Sequence, residues 1–112
     1  MTNKNKKKLI ENKYVIARTC GRLIGLEVDC VIGITDKGNI FKIPQLTRPI
    51  LGLGKYSSKV LAVVDTGSFC GLKRSEKHLI TKWIITNTYN GLAALAVDEV
   101  YGIKNVLIKG KI

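Results

Sequence analysis

Asp65-Thr66-Gly67-Ser68 is the stretch of this 112-residue chain best suited to chemistry. An aspartate at a tight turn, shaped by a threonine and a glycine, can share a proton with a second such carboxylate and activate a water molecule. One copy per chain means that two chains would have to meet. The other reactive residues are less promising. His78, the only histidine, lies in a charged loop, and neither Ser75 nor Cys70 stands in a recognised nucleophile arrangement with it. Cys20, Cys30 and Cys70 form no C-x-x-C pair, so a Cys/His zinc site is not expected. They are also odd in number and scattered, which argues against a disulfide framework. Each sits among apolar residues and reads as a small buried hydrophobe. There is no G-x-x-x-x-G-K-S/T loop, and Gly52-Leu53-Gly54 falls short of a dinucleotide fingerprint. Neither a metal nor a cofactor is expected.

The net charge of +11 invites a nucleic-acid reading, but its distribution does not support one. Lys4, Lys6, Lys7, Lys8 and Lys13 stand against Glu11 in residues 1–13, which read as a basic flexible tail. The remaining surplus is dispersed from Arg18 to Lys111, mostly as lysines at turns and strand ends, where charge discourages stray edge pairing. Arginine is scarce and no strand is rich in aromatic residues, so base readout and stacking lack their usual side chains. Specific nucleic-acid binding is therefore not expected. No apolar stretch approaches the ~20 residues that span a bilayer, and no apolar leader core follows the basic start. A cytoplasmic location is expected.

The elements that would carry these residues read as strands. Tyr14–Thr19 is rich in β-branched and aromatic residues, and Ile24, Leu26 and Val28 alternate with Gly25, Glu27 and Asp29. Glycines 25 and 33 argue against a helix over the same segment. Ile40–Ile43 predicts a short strand ending at Pro44, and Val60–Val64 a strand apolar on both faces. Leu79–Tyr89 predicts a long strand, Asn90-Gly91 a hairpin turn, and two further strands follow over 92–97 and 100–108. No helix is predicted. Leu26–Ile34 and Leu95–Ile103 share the pattern L-x-V-D-x-V-x-G-I, which implies two related halves packed side by side.

Three of these segments together resemble the CheW family of chemotaxis adaptors over residues 14–108. Gly21–Ile34 is similar to the family's opening G-L/I-x-V-x-x-V hairpin. Ile50-Leu51-Gly52-Leu53 running into Val60–Asp65 resembles I-x-G-V-x-N-L-R-G-x-V-x-P-V-V-D-L, and Gly91–Val100 resembles G-x-x-x-G-L-x-V-D-x-V. The resemblance implies an all-β fold of two small SH3-like barrel subdomains over residues 14–112, with no catalytic role. It implies a bridge between the regulatory domain of a CheA-type histidine kinase and the helical hairpin at a chemoreceptor's cytoplasmic tip. Carried onto this chain, the partner-binding positions are Val31, Ile34, Gly52 and Leu53, with Lys55, Tyr56 and Ser57 at the following turn. Ser57 stands where the family has the arginine of N-L-R-G, and a bidentate donor is lost with it. The chain stops at Ile112, short of the family's closing strands, so an open barrel edge and a homodimer through it are expected.

Asp65–Ser68 also resembles the D-T-G-S signature of retroviral-type aspartic proteases, which are short, all-β and homodimeric. The motif falls past mid-chain here, whereas those enzymes carry it in about their first quarter. Val100-Tyr101-Gly102-Ile103 is a poor match for their C-terminal segment, and the internal repeat has no place in that scheme. The adaptor reading makes Asp65 a strand-end residue that accepts backbone hydrogen bonds at a turn.

Overall fold

A computed structural model describes the backbone of residues 7–111, with side chains described over 10–107. The chain runs through β1 (Lys7–Thr19), β2 (Arg22–Glu27), one 3-10 turn (Val28–Cys30), β3 (Val31–Asp36), β4 (Ile50–Tyr56) and β5 (Lys59–Asp65). A four-residue helix, α1 (Thr66–Phe69), precedes β6 (Lys82–Thr88), β7 (Gly91–Val97) and β8 (Glu99–Lys111). The strands form two sheets, ordered β2-β1-β8 and β3-β6-β7-β5-β4, and every pairing is antiparallel except β5 with β7. The class is all-β, as the sequence predicts.

Alternation sets the faces. Val15, Ala17 and Thr19 of β1 are buried, while Arg18 between them is exposed. The buried side packs Val15 and Ala17 onto Ile84 and Val97 of the five-stranded sheet, with Ile24, Leu26, Val28, Val31, Leu95 and Val100 around them. The opposite face of the five-stranded sheet holds a second core of Leu61, Val63, Trp83, Ile85, Ala94 and Ala96. That sheet curls until its edge strands meet, for the Tyr56 hydroxyl of β4 lies so close over Gly33 of β3 that no side chain would fit there. Trp83 plugs the interior. A β-carbon at Gly54 would lie 2.7 Å from the indole ring, and one at Gly38 would lie 3.2 Å away.

The internal repeat has a structural meaning that differs from two equivalent halves. Its first copy leaves the three-stranded sheet along β2 and enters the five-stranded sheet as β3; its second leaves β7 and returns as β8. The repeat therefore marks the two crossings between sheets. The valines of both copies, Val28, Val31, Val97 and Val100, meet in the shared core. The aspartates have diverged: Asp29 is exposed, whereas Asp98 accepts the Cys20 backbone N–H at 3.0 Å.

Several expectations need correction. Residues 7–13 are not a tail but the first half of β1, paired with Lys111 to Asn105 of β8; residues 1–6 lie outside the described residues. Lysine density hid that strand, because its pairing partner lies some ninety positions away. Ile40–Ile43 contributes only a bridge from Phe41 to Leu53. Cys30 and Cys70 are exposed and not buried hydrophobes. α1 was not foreseen; it is one turn long, below the length at which apolar periodicity can show.

Candidate functional site

Asp65 is fully buried at the end of β5, and its surroundings decide what its carboxylate can do. One oxygen, Oδ1, accepts from the backbone N–H groups of Gly67 at 3.1 Å and Ser68 at 3.4 Å, which caps α1. The Arg74 guanidinium grips both oxygens, Nη2 to Oδ1 at 2.9 Å and Nε to Oδ2 at 3.3 Å. Arg48 Nη1 donates to Oδ2 at 2.7 Å, and the Ser68 hydroxyl to the same oxygen at 3.1 Å. Burial alone would raise this carboxyl's pKa. The Arg74 guanidinium and the Ser68 donors outweigh it and hold the pKa below the ordinary aspartate value.

This arrangement is the opposite of a hydrolytic dyad. A water-activating carboxylate needs a free lone pair and a neighbour that raises its pKa. Asp65 has six donors on its two oxygens and none to spare for a water. The D-T-G-S stretch is a helix cap and an ion-pair anchor. His78 is no better placed for catalysis: its Nδ1 lies 3.2 Å from the Ser75 hydroxyl three residues away, inside a turn closed by the His78 N–H on the Ser75 carbonyl. Among the described residues no cluster of three or more His, Cys, Asp or Glu could hold a metal ion.

Arg74 does more than neutralise Asp65. Its Nη1 also donates to Asp98 Oδ1 at 2.6 Å and to the His78 carbonyl at 2.7 Å. Asp98 holds the Cys20 N–H, so one guanidinium ties together β5, the connection over 70–81, the β7–β8 crossing and the β1–β2 turn. The two sheets are thus joined by apolar packing and by a charged clamp. Sequence reasoning missed Arg74 and Arg48. A usable signal was present, for only four of the nineteen basic residues are arginine, the residue suited to bidentate buried pairs.

Beside the clamp, the sheet face that carries Val97 under the three-stranded sheet continues past that contact through Leu95 and Ala93. There it forms an apolar groove of about 360 Å³, lined by Pro49, Ile50, Val64, Phe69, Thr88, Ala93 and Leu95. Phe69 projects from α1 and is 72% exposed. Asp65 caps the turn that presents it.

The residues singled out from the sequence fall into two sets on the same subdomain. Val31 packs in the core between the sheets, while Ile34 of β3 is exposed. Gly52 is buried with a φ of 152°, and a β-carbon there would lie 2.6 Å from the Phe41 carbonyl oxygen. Leu53 is half-buried, Lys55 exposed, and Tyr56 half-buried against Gly33. Ser57 is exposed at the β4–β5 turn, and both it and Ser58 have positive φ, 49° and 66°. The contact of Tyr56 with Gly33 brings the β3 and β4 positions to one seam. The apolar groove lies elsewhere, between the start of β4, the end of β5, α1, the end of β6 and β7, and none of the seven residues lines it.

Residues 10–110 match the family described as the CheW-like domain. No curated protein matches the sequence significantly. Among solved structures, the chain is similar to the scaffolding protein TtCheW from Thermoanaerobacter tengcongensis, with a TM-score of 0.77 and 25% sequence identity. The likeness covers 87% of this chain and 66% of that one, so this chain spans just under two thirds of that protein's length. The two sheets, their order and the sequence match agree: the chain belongs to the CheW-like domain family.

Proposed function

We propose that this chain is a non-enzymatic adaptor that joins the regulatory domain of a CheA-type histidine kinase to the helical tip of a chemoreceptor. The observation that carries the reading is the apolar groove beside the junction of the two sheets, in a chain whose family and structural neighbour are those of a chemotaxis scaffold. A helix with an apolar stripe buries that stripe in such a groove, with Phe69 as the wall it meets first. The cytoplasm, where receptor tips meet kinases, is the compartment this function requires.

The β4–β5 turn is assigned to the kinase. Two consecutive serines in the left-handed region cost on the order of 1 kcal/mol each, and strain of that kind persists where a surface must keep a set shape. Replacing Ser57-Ser58 by Asn-Gly, the pair this turn geometry favours, is expected to stabilise the fold by about 1 kcal/mol. The same change is expected to weaken kinase binding, because it removes the Ser57 side chain beside Lys55. Equal affinity for both versions would take the turn out of the interface.

Calorimetry of the purified protein against the regulatory domain and, separately, against a receptor-tip helical hairpin tests the whole reading. Micromolar or tighter binding to each is expected. Phe69→Glu should lower receptor-tip affinity at least about tenfold, a typical loss for an anchor in an apolar groove, while leaving kinase binding intact. Absence of binding to both partners would overturn the adaptor assignment.

A further inference from the structure

The apolar groove has a charged neighbour. A second hollow of about 370 Å³ is lined by Arg48, Ser68, Leu72, Lys73 and Arg74, three cations and no carboxylate. Arg48 precedes Pro49 and Ser68 precedes Phe69, so two pairs of consecutive residues form the border between the hollow and the groove. The three cations are not equivalent. Arg74, 15% exposed, is engaged by Asp65 and Asp98. Arg48 is 62% exposed and half used: Nη1 donates to Asp65 Oδ2 at 2.7 Å and to the Ser68 hydroxyl at 3.1 Å, while Nε and Nη2 have no partner among the described residues. Those two nitrogens form an edge of the guanidinium that takes a carboxylate bidentately. Asp65 does not depend on Arg48, since it keeps five other donors. Lys73 is exposed at the same hollow.

We propose that Arg48, assisted by Lys73, takes a carboxylate of the helix that lies in the apolar groove, and so selects which helices dock there. The proposal rests on the adaptor reading and adds a sequence requirement to it. The docking helix carries Asp or Glu three or four positions from the apolar residue that meets Phe69, because side chains at that spacing share a helix face ~5–6 Å apart. A helix with Lys or Arg at that position meets two like charges and is rejected. The contact lies at the open end of the groove, so it contributes selectivity and salt dependence more than raw affinity. Every residue in it belongs to the five-stranded sheet and its connections, and that sheet closes on itself at Gly33 and Tyr56. The site therefore does not depend on what pairs with β8.

Calorimetry against the receptor-tip helical hairpin at 50 and 500 mM NaCl reads the contact. Arg48→Gln should lower affinity roughly tenfold at the lower salt, the loss of a hydrogen-bonded charge pair, and should remove most of the wild-type salt dependence. Lys73→Gln, which leaves the Asp65 clamp untouched, should lower it by about two- to fivefold. Lys13→Gln removes the same charge from β1 and should leave affinity unchanged. Charge reversal then locates the partner: Arg48→Glu should bind poorly, and Lys put in turn at each acidic position of the hairpin should restore binding at one position, three or four residues from an apolar one. Equal affinity of wild type and Arg48→Gln at 50 mM NaCl, or no position that rescues Arg48→Glu, overturns the proposal. If Phe69→Glu still weakens hairpin binding in that case, the groove and the adaptor reading survive without it. A wild-type chain that binds no hairpin overturns receptor docking itself, and this proposal with it.

Discussion

Arg74→Ala is expected to be among the most damaging single changes in this protein, costing about 3–5 kcal/mol. The reason lies in what remains after the guanidinium is gone. Asp65 stays fully buried and Asp98 loses its closest cation, so a carboxylate in a low-dielectric site keeps only Arg48, whose side chain is 62% exposed. Removing one partner of a buried pair leaves the desolvation cost of the other uncompensated, which is why the loss exceeds the net value of the pair. A small domain holds roughly 5–15 kcal/mol in all, so the variant should lose a large part of its urea resistance. The paired variant Asp65→Asn, Arg74→Met removes both charges and should recover part of the loss. If Arg74→Ala lowered stability by less than about 1 kcal/mol, the clamp would be ornamental. If the double variant were worse than the single one, charge would not be the cause.

The same pair fixes the acid side of the stability profile. The folded pKa of Asp65 lies below the unfolded value, and the guanidinium of Arg74 is held more firmly protonated than a free one. Asp65 therefore contributes its stability fully above the unfolded carboxylate pKa of about 3.9. That contribution falls away as pH drops through the lower folded value. Urea midpoints taken between pH 7 and pH 3 should decline chiefly below pH 4 in the wild type, and the decline should be shallower once Asp65 is Asn. A wild-type decline that is unchanged once Asp65 is Asn would mean that this carboxylate does not set the acid limit.

How much of this was legible in the sequence depends on the range over which each signal acts. Strand identity is local: the alternation of Ile24, Leu26 and Val28, and the apolar run Val60–Val64, are visible within a window of seven residues and both became strands. The repeat was visible too, but its meaning was not. A shared L-x-V-D-x-V-x-G-I pattern says that two segments meet the same environment, and only the topology shows that this environment is the crossing between sheets. The strand over residues 7–13 could not be read from its lysines, since its stability comes from a partner near the other end of the chain. Asp65 was singled out for chemistry it does not perform. Its real partners, Arg48, Arg74 and two backbone amides, converge from a loop, a connection and a helix turn, and no sequence spacing encodes that convergence. Of the positions carried over from the family's pattern, Ile34, Lys55 and Ser57 lie on the surface while Val31 and Gly52 lie inside. Apolar type alone cannot separate a contact residue from a core residue.

Trp83→Ala should approach the Arg74 effect, at about 3–5 kcal/mol, for a different reason. The indole fills the curled sheet between Gly54 and Gly38, and alanine would leave a cavity that the surrounding strands cannot collapse into. The graded variants carry the argument further. Trp83→Phe should cost only about 1–2 kcal/mol, because the smaller ring also removes a buried indole N–H that has no partner among the described residues. Gly54→Ala in the wild-type background should cost about 1–3 kcal/mol by forcing a methyl group to within 2.7 Å of the ring. Combining Gly54→Ala with Trp83→Phe should then cost less than the sum of the two, since each change relieves the other; double-mutant analysis of urea denaturation measures that coupling. Additive losses would mean that the ring and β4 do not define each other's position. In the proposed adaptor the coupling reaches function through β4 itself, which Trp83 supports at Gly54 and which ends two residues later at Tyr56, just before the Ser57–Ser58 turn. A variant that stays folded but shifts the C-terminal half of β4 should therefore weaken kinase binding through the turn, and lower receptor affinity only as far as the shift reaches Ile50, which lines the Phe69 groove at the other end of the strand.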